Sequence, residues 1–277
     1  MKNTNYPDAY KPLIKKLKFR KRLIKIVTVL AFFASAFFLA PDSEIIINDT
    51  VIHTSFTQSY TGAVIAAIAI AVGSVFAYSV ALLPLQTAML TECDPEKHMV
   101  LNEAVGNKKQ LDSVYAIDYL FLGKFEAACE YAARVSANKN VVQSACGWFH
   151  KARCEFLMKN YGAFENSFEQ YKAVTAKIKN AKQKAEFDKM QKVLELMLAL
   201  CGDDTEKIKA CNAQAAVWNE SKGAHGFTNY IKGLAACRTG DIADCIYYMT
   251  FVKKNCEKTV FAALADEVLA GLPQNEK

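Results

Sequence analysis

The chain has 277 residues, 52% of them hydrophobic, and a formal net charge of +6, which leaves room for more than one structural unit. Its nine cysteines all lie from Cys93 onward. An odd, scattered set excludes a disulfide framework and suits small core side chains in a reducing compartment.

Residues 1–22 form a basic tail. The first 25 residues hold Lys2, Lys11, Lys15, Lys16, Lys18, Arg20, Lys21, Arg22 and Lys25 against one acid, Asp8. An apolar segment follows over 23–40, in which Lys25 is the only charge, and a second over 61–85 has none. A helix needs about 20 apolar residues to cross the hydrocarbon core. The second segment meets that length, and Lys25 can snorkel to extend the first. A basic region before an apolar one is also the pattern of a cleaved signal peptide. Against that alternative stand the missing small-residue cleavage site before Pro41 and the second apolar segment close behind. The pattern predicts a transmembrane hairpin over 23–85 with a loop at 41–60.

The loop carries Asp42, Glu44 and Asp49 and no Lys or Arg. The positive-inside rule therefore predicts a cytosolic tail, an external loop and a cytosolic remainder, in a multi-pass protein of the cell membrane. The tail carries about +8, the loop −3 and residues 86–277 about +1, so the large domain is close to neutral. Such a domain is not expected to bind nucleic acid, whereas the basic tail attracts anionic lipid headgroups. Asn48-Asp49-Thr50 in the loop matches a glycosylation sequon.

Residues 86–107 read as a linker and a first helix, with Asp94 as N-cap and Pro95 at the first helical position. No proline follows until Pro273, glycine is sparse and strand signals are missing, so this region is predicted to be all α. Four short breaks at Gly123, Gly162, Gly202 and Gly240 are spaced 39, 40 and 38 residues apart. Glycine suits the left-handed cap that ends a helix, so each break predicts a helical hairpin, four in all over 108–277. Small residues such as Ala128, Ala132 and Ala152 allow the close approach of paired helices. Residues 258–269 predict a closing helix.

These breaks resemble those of the tetratricopeptide repeat (TPR) family, whose turn reads roughly Gly-x-Tyr-x-x-Ala with an aromatic four residues before it. Tyr119, Gly123, Phe125 and Ala128 match in the first unit. Gly162, Phe164, Ser167 and Tyr171 match in the second, with Met158 in place of the aromatic. The third keeps Gly202. In the fourth, Gly233 takes the small position of the first helix, and Gly240, Ile242, Cys245 and Met249 follow with altered residues. The resemblance covers residues 108–256, at a longer period than the family's 34. It implies a TPR-like α-solenoid whose concave groove binds a protein partner.

No catalytic signature is present: no phosphate-binding loop, no H-E-x-x-H and no G-x-S-x-G. An enzyme is not expected, nor a cofactor or a bound metal. Cys146, His150 and Cys154 share one helix face at metal-ligand spacing, but packing explains them as well. Glu92, Asp94, Glu96 and His98 read as the charged start of a helix. The lysines from Lys172 to Lys192 read as a solvated face. Trp148 and Trp218, with Phe149, Phe156 and Phe168, line either the groove or the core. Gly62, Ala66, Ala69, Gly73 and Ser74 give the second span a small-residue content suited to packing on another membrane helix. Two functions remain: a membrane-anchored protein-interaction module, or an accessory subunit of a membrane complex (transport, secretion or envelope assembly) whose membrane helices also bind the partner.

Overall fold

A computed structural model describes residues 6–37, 45–47, 50–52, 56–215 and 222–272. The chain divides into two compact units, Met1–Pro84 and Leu85–Lys277.

In the first unit a short 3₁₀ turn at Asp8–Tyr10 leads into α1 (Lys11–Phe37). Two short strands follow, β1 (Ile45–Ile47) and β2 (Thr50–Ile52), and then the long helix α2 (Phe56–Leu90). The strands pair antiparallel, with Ile46 opposite Val51. This ribbon of β-branched residues was not expected from a loop reading. The sequon's Asn48 and Asp49, the end of the first apolar segment at 38–40 and the loop's acids lie outside the described residues. α1 and α2 run antiparallel: the Thr28 and Ser74 hydroxyls hydrogen-bond at 2.8 Å, and Lys21 lies 5.6 Å from the Tyr78 ring centre. Among the described residues one helix, Val64–Leu90, is long and apolar enough to cross a membrane.

The predicted linker at 86–97 is shorter than expected. α2 continues through Gln86–Leu90, and its Leu85, Ala88 and Met89 are buried. Met89 and Cys93 belong to the core of the second unit. Apolarity fades after Leu85, but Gln86, Ala88, Met89 and Leu90 are good helix formers, so the helix runs on.

The second unit is all-helical among its described residues. After α3 (Pro95–Val105) come four consecutive helix pairs: α4 (Leu111–Phe121) with α5 (Phe125–Ser136), α6 (Val141–Leu157) with α7 (Tyr161–Thr175), α8 (Ala181–Leu200) with α9 (Thr205–Gln214), and α10 (Lys222–Thr239) with α11 (Ile242–Asn255). α12 (Val260–Ala270) packs on α11 and α10. The expected breaks at Gly123, Gly202 and Gly240 each separate the two helices of one pair. The odd position in each pair also touches its counterpart in the next, α4 to α6, α6 to α8, α8 to α10 and α10 to α12.

Local chemistry explains the starts. Asp94, Asn140, Asn160, Asn180, Asp204 and Asp241 each accept a hydrogen bond from a backbone N–H in the first turn of the helix that follows. Such a cap is worth about 1 kcal/mol. Close crossings depend on glycine. A Cβ on Gly147 would run into the Ser136 backbone where α6 meets α5, and one on Gly233 would lie 2.7 Å from Met249 Cε where α10 meets α11.

Candidate functional site

Three of the four turns are built alike. Gly123 (φ 75°) and Gly240 (φ 78°) adopt the left-handed conformation, and the next N–H reaches back to close the helix, Lys124 to Tyr119 O and Asp241 to Ala236 O. In the second turn that place belongs to Lys159 (φ 58°), with Asn160 N–H on Glu155 O. Gly162 therefore corrects the sequence reading. It is the second residue of α7, and its missing side chain faces open space. Gly202 sits in a third turn with no left-handed residue, where its carbonyl accepts from Arg238.

The remaining repeat positions are packing residues. Phe164 and Tyr171 are fully buried, and the Tyr171 hydroxyl donates to Phe187 O at 2.6 Å, tying α7 to α8. Ala128 is buried, and Phe125 is half-buried against the core. Tyr119 forms a cluster with Tyr115 and Tyr131, their ring centres 4.9–5.8 Å apart, and Lys124 lies over its ring.

The inner side of these helices is filled rather than grooved. Phe261 of α12 lies 5.1 Å from Phe121 of α4 and 5.5 Å from Phe227 of α10, centre to centre. A Cβ on Gly123 would meet Val260 Cγ2 at 2.9 Å. Lys258 Nζ also pairs with Asp94 Oδ2 at 2.5 Å. The last hairpin and α12 thus return to the first pair and pack against it. Long-range aromatic contacts outweigh the local tendency to stack outward.

Arg153 stands at this convergence, 6% exposed, its guanidinium 3.9 Å from the Phe227 ring centre, 5.2 Å from Phe149 and 5.7 Å from Phe121. Its Nη1 donates to His150 Nδ1 at 3.3 Å, so the imidazole proton sits on Nε2. Nε has no partner. Burial lowers the Arg153 pKa to about 9, and burial with the adjacent guanidinium pushes His150 to about 3, holding it neutral. Cation–π attraction to three rings offsets part of the cost of burying this charge. Sequence reasoning passed over Arg153. The available signal was an arginine four residues after Phe149, on the apolar face of α6.

The metal-spacing trio does not converge. His150 faces Arg153, while Cys146 is half-buried and Cys154 wholly so. Burial raises the Cys146 pKa to about 11 and moves Cys154 up as well. No three potential ligands come together among the described residues. Thiols at Cys93, Cys129, Cys201, Cys211 and Cys245 also have raised pKa values, so they stay protonated at neutral pH. In the cluster after α2, Glu92 pairs with Lys97, Asp94 caps α3, and His98 Nδ1 lies 2.8 Å from Asp118. Asp118 is fully buried, which lifts its pKa to about 6 against the pull of His98. Lys189 and Lys192 of the basic stretch pair with Glu186 and Glu195 on the surface of α8. Trp148 is half-buried beneath Lys151, and Trp218 lies outside the described residues.

In the first unit a cleft of about 350 Å³ opens beside α1, lined by Tyr6, Lys11, Lys15, Lys18 and Arg22 with Ile14 and Phe19 between them. No family model matches this chain, and no curated protein or solved structure matches it.

Proposed function

We propose that the chain is a membrane-anchored interaction module. On this reading α1 and α2 form a two-span hairpin in the cell membrane with the tail and the helical domain on the cytosolic side. The domain is a TPR-like scaffold of stacked hairpins that presents its surface to a protein partner. The observation that carries it is α2, an apolar helix in which no residue from Val64 to Val80 is buried. Water disfavours so large an exposed apolar surface, and a bilayer requires it. Two features support α1 as the second span. Leu30 and Phe33 also face outward, and Thr28 and Ser74 satisfy each other's hydroxyls, as polar groups facing each other in lipid do. Lys21 beside Tyr78 is the pairing of a cation and an aromatic typical of a membrane boundary.

A second reading, an accessory subunit of a membrane complex, is favoured by the filled inner side of the helical domain. With Phe261 and Arg153 occupying that space, a partner must use the outer faces or the membrane helices themselves.

The test is co-purification from gently solubilised membranes, comparing the full chain with a version starting at Leu85, which keeps Met89 and Cys93 in the core. A stoichiometric partner retained by both supports the scaffold. A partner retained only by the full chain supports the membrane subunit. No partner on either overturns both readings.

A further inference from the structure

The basic stretch of α1 concentrates its charge on one side. Lys11, Lys15, Lys18 and Arg22 are spaced i, i+4, i+7 and i+11, which places them within about 60° of one another around the helix and along about 16 Å of its length. Like charges at this spacing oppose helix formation. Among the described residues only Lys11 of these four meets an acid, the exposed Asp8 at 2.5 Å. Lys18 lies 5.8 Å from the Tyr6 ring centre, and no carboxylate among the described residues faces Lys15, Lys18 or Arg22. The four cations line the cleft of about 350 Å³, walled on its apolar side by Ile14 and Phe19.

We propose that this cleft seats the headgroup of an anionic phospholipid, with Lys15, Lys18 and Arg22 around the phosphate and Phe19 against the start of the acyl chains. The inference rests on the membrane reading of α1 and α2 and gives the tail a ligand in place of a general attraction. Three cations with no acid partner among the described residues suit a phosphate group of opposite charge. Phe19, 65% exposed, offers the apolar contact that a free phosphate would not use. The cleft also lies just before the apolar run that begins at Leu23, at the depth where headgroups lie.

The full chain, purified in mild detergent, is mixed with phosphatidic acid or phosphatidylcholine, and retained lipid is counted by native mass spectrometry. Phosphatidic acid is expected to be retained about tenfold over phosphatidylcholine. The Lys15→Gln/Lys18→Gln pair is expected to lose that preference. Lys16→Gln/Arg20→Gln, which removes the same charge from the other side of α1, is expected to keep it. Equal retention of the two lipids, or equal loss in both double variants, overturns the proposal. Alkaline carbonate extraction of membranes reads the anchor separately. Release of the chain would break the membrane reading and the proposal with it, whereas retention in the membrane without lipid preference breaks the headgroup site alone.

Discussion

The two units use similar side chains in opposite ways. In the first unit Phe19, Leu30, Ile65 and Val72 point outward, with Phe33 and Phe76 each 71% exposed. In the second unit the same residue types point inward, and Phe164, Phe261, Leu194 and Met197 are fully covered. Both regions are helical, so secondary structure does not separate them. On the membrane reading proposed above, the difference lies in the surroundings of each surface: hydrocarbon around the first unit, water around the second.

Paired substitutions break this comparison most directly. Phe261→Ala removes a ring shared by α4, α10 and α12 and is expected to cost about 3–5 kcal/mol, read as a lower urea midpoint. Ile68→Arg changes a residue that is 58% exposed. In water such a change is worth within about 0.5 kcal/mol. Within a bilayer an arginine costs up to about 2.5–3.5 kcal/mol at the centre of a span and less toward its ends, so the variant is expected to lower the share of chain in the membrane fraction. A fully inserted Ile68→Arg variant would remove the contrast between the two units.

Acid sharpens the picture of the second unit's interior. His150 is held neutral in the fold at a pKa near 3. Below about pH 6.5 the unfolded chain gains a proton that the folded one refuses, so stability falls as pH drops, by up to about 1.4 kcal/mol per pH unit. Asp118 acts in the other direction. Its folded pKa of about 6 means that it keeps its proton where the unfolded chain has lost it, so its contribution is full below about pH 4 and fades by pH 6. The two oppose each other across that window. In urea titrations, His150→Gln should reduce the loss on acidification from pH 6.5 to 4, and Asp118→Asn should steepen it. No change in either slope would mean that neither group is buried as described.

The smallest effects belong to the turns. Gly123→Ala meets both a positive φ and Val260, and is expected to cost about 2 kcal/mol. Gly240→Ala meets the positive φ alone and should cost about 1 kcal/mol. Gly162→Ala, in open space within a helix, should stabilise by up to about 1 kcal/mol. A different order in thermal melting would return Gly162 to the turn.

Much of the second unit was legible because its signals are local. The Asp94 cap, the Gly123 and Gly240 turns and the long interval without proline were read from residues close together in the chain. Gly162 misled because a glycine three residues past the true turn looks the same in sequence, and Lys159 carries no mark of a left-handed backbone. The meeting of Phe121 with Phe261 was not legible, because a contact spanning most of a domain leaves no periodic trace. The burial of Arg153 stayed hidden for a related reason: its Phe227 and Phe121 neighbours come from other helices. In the first unit the apolar run of α2 was plain, but its continuation through Leu90 was masked by the polar Gln86 and Thr87.

The return of α12 to α4 also sets an order of events. In an open array each hairpin can settle on the one before it as soon as it is made. Here Phe121, Gly123 and Asp94 wait for Phe261, Val260 and Lys258, which the ribosome adds some 140 to 160 residues later. During that interval the first pair has an uncovered apolar side, exposed to chance association. Completion is therefore a single late step made by the last described helix, and the domain gains its full cooperativity only then.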